Sequence, residues 1–235
     1  MSALSPHALS ASGQLRLVIF DCDGVLIDSE LPSCRLVARE ARARGIELSD
    51  EAALERFAGK ALGQVKRELE AETGRDLGAD YVQIMQDKLV DLMREEAATI
   101  DGAETMLAGM QALGVPFRVG SNSSWPEMEV KFARVGFTRF FPRDRIHSAR
   151  DMMRPKPDPY VFLHAAEQEG VEPSQCVVIE DSDTGVQAAH DAGMACILFR
   201  PEGPAPGLNW PGLERIMHLD ALVPRLFRAL QEQAR

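Results

Sequence analysis

The run Leu15-Arg16-Leu17-Val18-Ile19-Phe20 passes without a break into Asp21-Cys22-Asp23-Gly24. A short, β-branched apolar run is the mark of a strand buried on both faces, which implies a parallel sheet covered by helices. Acidic residues at the end of such a strand fall where open α/β sheets bind ligands. Alternation along an extended segment points the Asp21 and Asp23 side chains the same way. Two neighbouring carboxylates repel unless a cation or a shared proton intervenes. A hard divalent ion with oxygen ligands, Mg²⁺ above all, meets that need. Gly24 then lets the chain turn and lets a ligand approach the backbone. Aspartate and glycine also make ordinary turns, so the segment by itself does not separate a site from a turn.

The chain beyond it supplies the context. Residues 30–98 read as almost wholly helical, with helices expected over 31–44, 50–58, 62–73 and 79–97, punctuated by Gly45, Gly59, Gly63, Gly74 and Gly78. A strand-to-strand crossover normally carries one helix, so this block is expected to be an inserted helical domain. Strand and helix patterns then alternate. Strands are expected over 115–120, 145–148, 176–179 and 195–199, with helices over 102–113, 127–135, 158–170, 185–192 and 220–233. Such alternation implies a Rossmann-like parallel sheet with helices on both faces. The expected division is a flexible tail over 1–14, an α/β core over 15–29 and 99–235, and an inserted helical domain over 30–98. The stretch 201–211, rich in Pro and Gly, reads as loop.

Three strand ends deliver polar residues: Asp21 with Asp23, Ser121 with Asn122, and Glu180 with Asp181. A fourth cluster, Arg154-Pro155-Lys156-Pro157-Asp158, precedes a helix. In a parallel sheet all strand C-termini share one edge, so the four clusters can meet in space. Together they offer carboxylates for a metal, and a hydroxyl and an ammonium for the oxygens of a phosphoryl group. Each also has a plain alternative. Ser121 to Ser124 suit a helix N-cap. Lys156 between prolines suits a solvated turn. Glu180 and Asp181 suit the start of a helix and its dipole.

Composition narrows the classes. A 235-residue chain with 45% hydrophobic and 26% charged residues can bury a large core. A formal net charge of -10 argues against a nucleic-acid partner. No run approaches a membrane span. The first fourteen residues lack the charged start and apolar stretch of a signal peptide. The cysteines Cys22, Cys34, Cys176 and Cys196 show no Cys-x-x-Cys spacing, which argues against zinc and for a reducing, cytoplasmic setting. The sequence leaves the oligomeric state open, with a monomer slightly favoured.

The four clusters, in this order, resemble the four motifs of the haloacid dehalogenase superfamily of phosphohydrolases. Asp21-Cys22-Asp23-Gly24-Val25 is similar to the first motif, Ser121 to the second, Lys156 to the third, and Glu180-Asp181 to the fourth. The helical block resembles the small cap of the first subclass. Phe20-Asp21-Cys22-Asp23-Gly24 and Arg56-Phe57-Ala58-Gly59-Lys60 further resemble the sugar-phosphate phosphatase branch, in which 6-phosphogluconate phosphatases fall. The resemblance implies a Mg²⁺-dependent phosphatase acting on a small phosphorylated metabolite. It casts Asp21 as nucleophile and Asp23 as acid and base, with Gly24, Ser121, Asn122 and Lys156 around the phosphate. Asp21, the Asp23 carbonyl and Asp181 would hold Mg²⁺, with Glu180 acting through water. Lys60 is the cap residue expected to reach a substrate anion. Haloacid dehalogenases lack the counterpart of Asp23, which points away from dehalogenation. A phosphomutase of the β-phosphoglucomutase type is the alternative, but the histidine those enzymes carry in this region is Ser33 here.

Overall fold

The computed structural model describes residues 6–58 and 60–235. Strand β1 (Leu17–Phe20) lies at the centre of a six-stranded sheet of order β5-β4-β1-β6-β7-β8. The other strands of the sheet are β4 (Phe117–Ser121), β5 (Ile146–Ser148), β6 (Cys176–Glu180), β7 (Ala195–Phe199) and β8 (Leu213–Ile216); β1 itself pairs with β4 and β6, and every pairing in the sheet is parallel. All four residues of β1 are fully buried, as a central parallel strand requires.

The pleat divides that strand between two cores. Val18 and Phe20 face one side, with Phe117, Val119, Phe132 and Phe141. That side is covered by α5 (Ala103–Leu113), α6 (Trp125–Val135) and α9 (Leu222–Gln233). Leu17 and Ile19 face the other side, against α7 (Tyr160–Glu169) and α8 (Asp183–Asp191). Helices α1 (Glu30–Ala43), α2 (Asp50–Phe57), α3 (Leu62–Thr73) and α4 (Tyr81–Glu96) close around a third core built from Leu36, Val37, Phe57, Leu69, Tyr81 and Met85. The chain enters and leaves this unit through β2 (Ile27–Asp28) and β3 (Ala98–Thr99), a two-stranded antiparallel pair.

Residues 6–14 do not form a frayed tail; residues 1–5 lie outside the described residues. Ala8 and Leu9 are buried. Gln233 on α9 donates to the carbonyls of Ala8 and Ser10, both at 2.9 Å, and accepts from the Leu15 N–H at 2.9 Å. Arg225 donates to the Leu9 carbonyl at 3.0 Å. The small, polar composition of the segment conceals a single apolar anchor and backbone groups that α9 satisfies. Strand β8 is an addition to the expected elements, one that the alternating pattern does not reveal. Leu213-Glu214-Arg215-Ile216 is a short edge strand with a charged middle, the form edge strands take to stay unpaired on one side.

Candidate active site

Strands β1 and β6 are neighbours, but the chain leaves β1 towards β4 and leaves β6 towards β7. Their C-terminal ends therefore diverge and open a crevice, the place where parallel sheets bind ligands. Asp21 follows β1 directly, and its N–H donates to the Ile179 carbonyl at 2.9 Å. This register sets Asp21 beside Glu180, the last residue of β6. The loop after Asp21 closes tightly, with the Leu26 and Ile27 N–H groups both donating to the Cys22 carbonyl at 2.9 Å. Gly24 takes a φ of 74° in that loop. A Cβ there would lie 1.9 Å from Asp181 Oδ2, so both the backbone and the packing demand glycine.

Lys156 ties the crevice together. Its Nζ donates to Asp21 Oδ1 at 2.7 Å and to Glu180 Oε1 at 2.6 Å. It is buried, not part of a solvated turn. Burial works against its charge, but Asp21 and Glu180 more than offset this and raise its pKa. Glu180 Oε2 accepts from Ser182 Oγ at 2.9 Å and from the N–H groups of Asp181 and Ser182 at 3.1 and 3.2 Å. The capping of α8 falls to Ser182, which accepts from the Gly185 N–H, and not to the acidic pair. Burial pushes the Asp21 carboxyl up to about 7 despite Lys156, with Glu180 and Asp23 adding repulsion. Burial, then Glu180 and Asp21, pushes Asp181 well up. Ligand atoms of Asp21, Glu180 and Asp181 lie within 4.8 Å of one another. One ammonium serving three carboxylates leaves anionic charge uncompensated, and oxygen donors so placed suit a hard divalent cation.

Asp23 has different surroundings. Its Oδ1 accepts from Ser29 Oγ and, at 2.6 Å, from Lys131 Nζ. Its Oδ2 accepts from Ser123 Oγ at 2.6 Å. Burial alone would raise this carboxyl, but Lys131 and the bonds from Lys131, Ser123 and Ser29 hold it below its usual range. Sequence reading missed Lys131, Ser123, Ser29 and Glu127. A signal for Lys131 did exist. It lies three residues after Met128 and one before Phe132, inside the buried stripe of α6, where a lysine needs a partner. Ser29 precedes α1 yet makes no side-chain cap; its hydroxyl goes to Asp23 instead.

The phosphate-side candidates converge on the same edge. Ser121 ends β4 and is buried, its Oγ accepting from the Ser123 N–H at 3.0 Å. Asn122 clamps the Lys156 backbone, accepting from its N–H at 2.8 Å. Lys60 is placed apart from this cluster. Its Nζ contacts both oxygens of Glu68 at 2.8 and 2.9 Å and lies over the Phe57 ring. Gly59, beside it, lies outside the described residues. A cavity of about 370 Å³ opens next to Asp181 and Gly24, with Asp28, Glu30 and Arg200 on its wall. Arg200 donates to the Asp181 carbonyl at 2.8 Å and so braces the turn after β6.

A crevice of this kind on a parallel sheet, with four clusters delivered by β1, β4, β6 and the loop before α7, defines a class. The haloacid dehalogenase-like hydrolase profile matches residues 15–193, and the chain belongs to that family. It is 30% identical over 217 residues to 6-phosphogluconate phosphatase of Escherichia coli, spanning 92% of this chain and 96% of that protein. Fructose-1-phosphate phosphatase of the same organism is 29% identical, over 78% of this chain and 95% of its own length. A haloacid dehalogenase-like protein from Agrobacterium tumefaciens, known from its crystal structure, superposes with a TM-score of 0.76 at 31% identity. That match covers 92% of this chain and 99% of the other.

Proposed function

We propose that the protein is a Mg²⁺-dependent phosphatase that hydrolyses a small phosphorylated metabolite, a sugar phosphate, through an aspartyl-phosphate on Asp21. One observation carries the reading: buried Lys156 joins Asp21 to Glu180 at the diverging ends of β1 and β6, with Asp181 alongside. Family membership and the named activities of the relatives support it.

The carboxylate of Asp21 attacks phosphorus, and the bond from phosphorus to the sugar oxygen breaks. Asp23, ionised in the free protein, takes up a proton as the anionic substrate binds, gives it to the departing oxygen, and later takes one from the water that releases phosphate from Asp21. Ser121 Oγ already accepts a backbone N–H, so its own hydrogen is free to donate to a phosphoryl oxygen. Lys156 uses two of its three N–H groups on carboxylates, leaving one for the phosphoryl group. Asp21, Asp181 and the Asp23 carbonyl would hold the cation, with Glu180 acting on it through water while it orients Lys156. The chemistry a Mg²⁺ ion would supply there is neutralisation of charge on the phosphoryl oxygens. Helices α1 to α4 act as a cap that opens and closes about the β2–β3 pair, with the sugar in the cavity beside Asp181. The cysteines are free and buried, as a cytoplasmic setting allows. Among the described residues no helix is long and apolar enough to cross a membrane.

A phosphate-release assay over a panel of sugar phosphates, with and without Mg²⁺, tests the reading. Mg²⁺-dependent release from at least one member is expected, and no release from any member refutes it. Asp21→Asn should lower kcat by at least ~10³-fold; turnover near wild type would remove Asp21 from the nucleophile's role.

A further inference from the structure

We propose that Lys131 is a positioning residue for this reaction, acting through Asp23. The inference rests on the reading of Asp23 as the group that moves the proton. Lys131 is 0% exposed, and its Nζ touches Asp23 Oδ1 at 2.6 Å, Glu127 Oε1 at 2.5 Å and Ser123 Oγ at 3.1 Å. An ammonium has three N–H groups, and all three find acceptors here. Its neighbours on the buried side of α6 are Met128 and Phe132, so an apolar side chain would suit the helix. Replacing a buried ion pair by apolar residues of similar volume is often neutral or stabilising. Stability is thus a weak reason for a lysine at this position, and geometry is a stronger one.

Asp23 belongs to the loop after β1, and a loop alone holds a side chain less firmly than a helix does. Lys131 ties its carboxylate to α6, and Glu127, one turn earlier on the same helix, fixes Lys131 in turn. Ser29 and Ser123 complete the grip on both oxygens. The outcome is one defined orientation of the proton-transfer group, set by a helix packed in the core. Lys131 forms no bond to substrate and exchanges no proton. In the first half-reaction the Asp21–phosphorus bond forms, the phosphorus–sugar oxygen bond breaks, and the sugar oxygen takes from Asp23 the proton that this carboxylate picks up when the anionic substrate binds. In the second, water attacks phosphorus, Asp23 takes the water's proton, and Asp21 is regenerated.

The test compares Lys131→Met with wild type on two substrates. Misplacing a reacting group by about an ångström can cost ~100-fold, so kcat on the best sugar phosphate should fall ~100-fold with KM little changed. p-Nitrophenolate leaves without a proton, so the single-turnover burst from p-nitrophenyl phosphate should stay within roughly threefold of wild type. A general structural defect would lower both alike. Unchanged kcat on the sugar phosphate, equal loss on both substrates, or loss carried by KM would each overturn the proposal. Lys131→Met with Glu127→Met removes the second buried anion as well and should show the same split if the single variant folds poorly. Failure of both to fold would assign Lys131 a structural role and overturn the proposal. An inactive wild type would instead overturn the phosphatase reading, and this inference with it.

Discussion

At the scale of single residues, burial decides which side chains titrate unusually. His147 on β5 is buried, and its Nε2 lies 3.3 Å from Arg118 Nη1. The ring of His164 packs edge-on at 5.2 Å. Burial, then Arg118 and His164, hold its pKa down to about 4 from 6.5, while Asp144 opposes weakly. Between those values the unfolded chain binds the proton and the folded chain does not. Stability from this group is therefore complete above pH 6.5 and is lost as pH falls towards 4, by roughly 3 kcal/mol in all. Urea unfolding of wild type and His147→Phe at pH 7.5 and pH 4.5 checks this. The variant should lose less stability on acidification, and equal losses would show that His147 does not titrate in this way. The same scale shows where the sequence could be read and where it could not. Asp21, Lys156 and Asp181 stand at strand ends or in a proline-bounded loop, where topology alone brings them together. Lys131 stands inside a helix, and only its contact with Asp23 across the fold makes its charge meaningful.

At the scale of elements, strong periodicity was legible and long-range satisfaction was not. Helix α9 follows from its apolar stripe, but nothing local in Gln233 announces that it binds residues 8, 10 and 15 at the other end of the chain. The paired strands β2 and β3 are two residues each, too short for an alternation to show. Their register, Ile27 with Thr99 and Asp28 with Ala98, forms only because the chain returns from the helical unit to the place where it left. The docking of the N-terminal segment gives a direct prediction. Gln233→Ala leaves the Leu15 N–H and the Ala8 and Ser10 carbonyls without that partner and should destabilise by about 1–2 kcal/mol. Leu9→Ala empties an apolar site that is 2% exposed and should destabilise by about 2–3 kcal/mol. Urea midpoints equal to wild type for both would mean that residues 8–15 contribute nothing to folding stability.

At the scale of the whole molecule, the fold gathers like charges that it would be more stable without. Asp21, Asp181 and Glu180 converge because β1 and β6 end together, and the ordinary preference for a dry, neutral core is overridden there. Lys156 compensates only in part: burial first, and then the repulsion among the carboxylates, keep Asp21 and Asp181 raised despite it. Active sites commonly carry such strain, and relieving it stabilises the protein while removing function. The metal-free protein should therefore gain stability from Asp21→Asn, by about 1–2 kcal/mol, because a neutral amide replaces one of three clustered anions. A divalent cation should have the opposite dependence on that residue. Saturating Mg²⁺ binds the folded wild type and should stabilise it by about 2–3 kcal/mol at a hundredfold excess over Kd. Asp21→Asn removes a ligand and should lose most of that increment. Thermal melts of both proteins in EDTA and in millimolar Mg²⁺ give the four numbers needed. The expected order is variant above wild type in EDTA, with the gap narrowed or reversed in Mg²⁺. A wild-type melting temperature indifferent to Mg²⁺, or a variant less stable than wild type in EDTA, would show that the three carboxylates are not held apart from their preferred state by want of a cation.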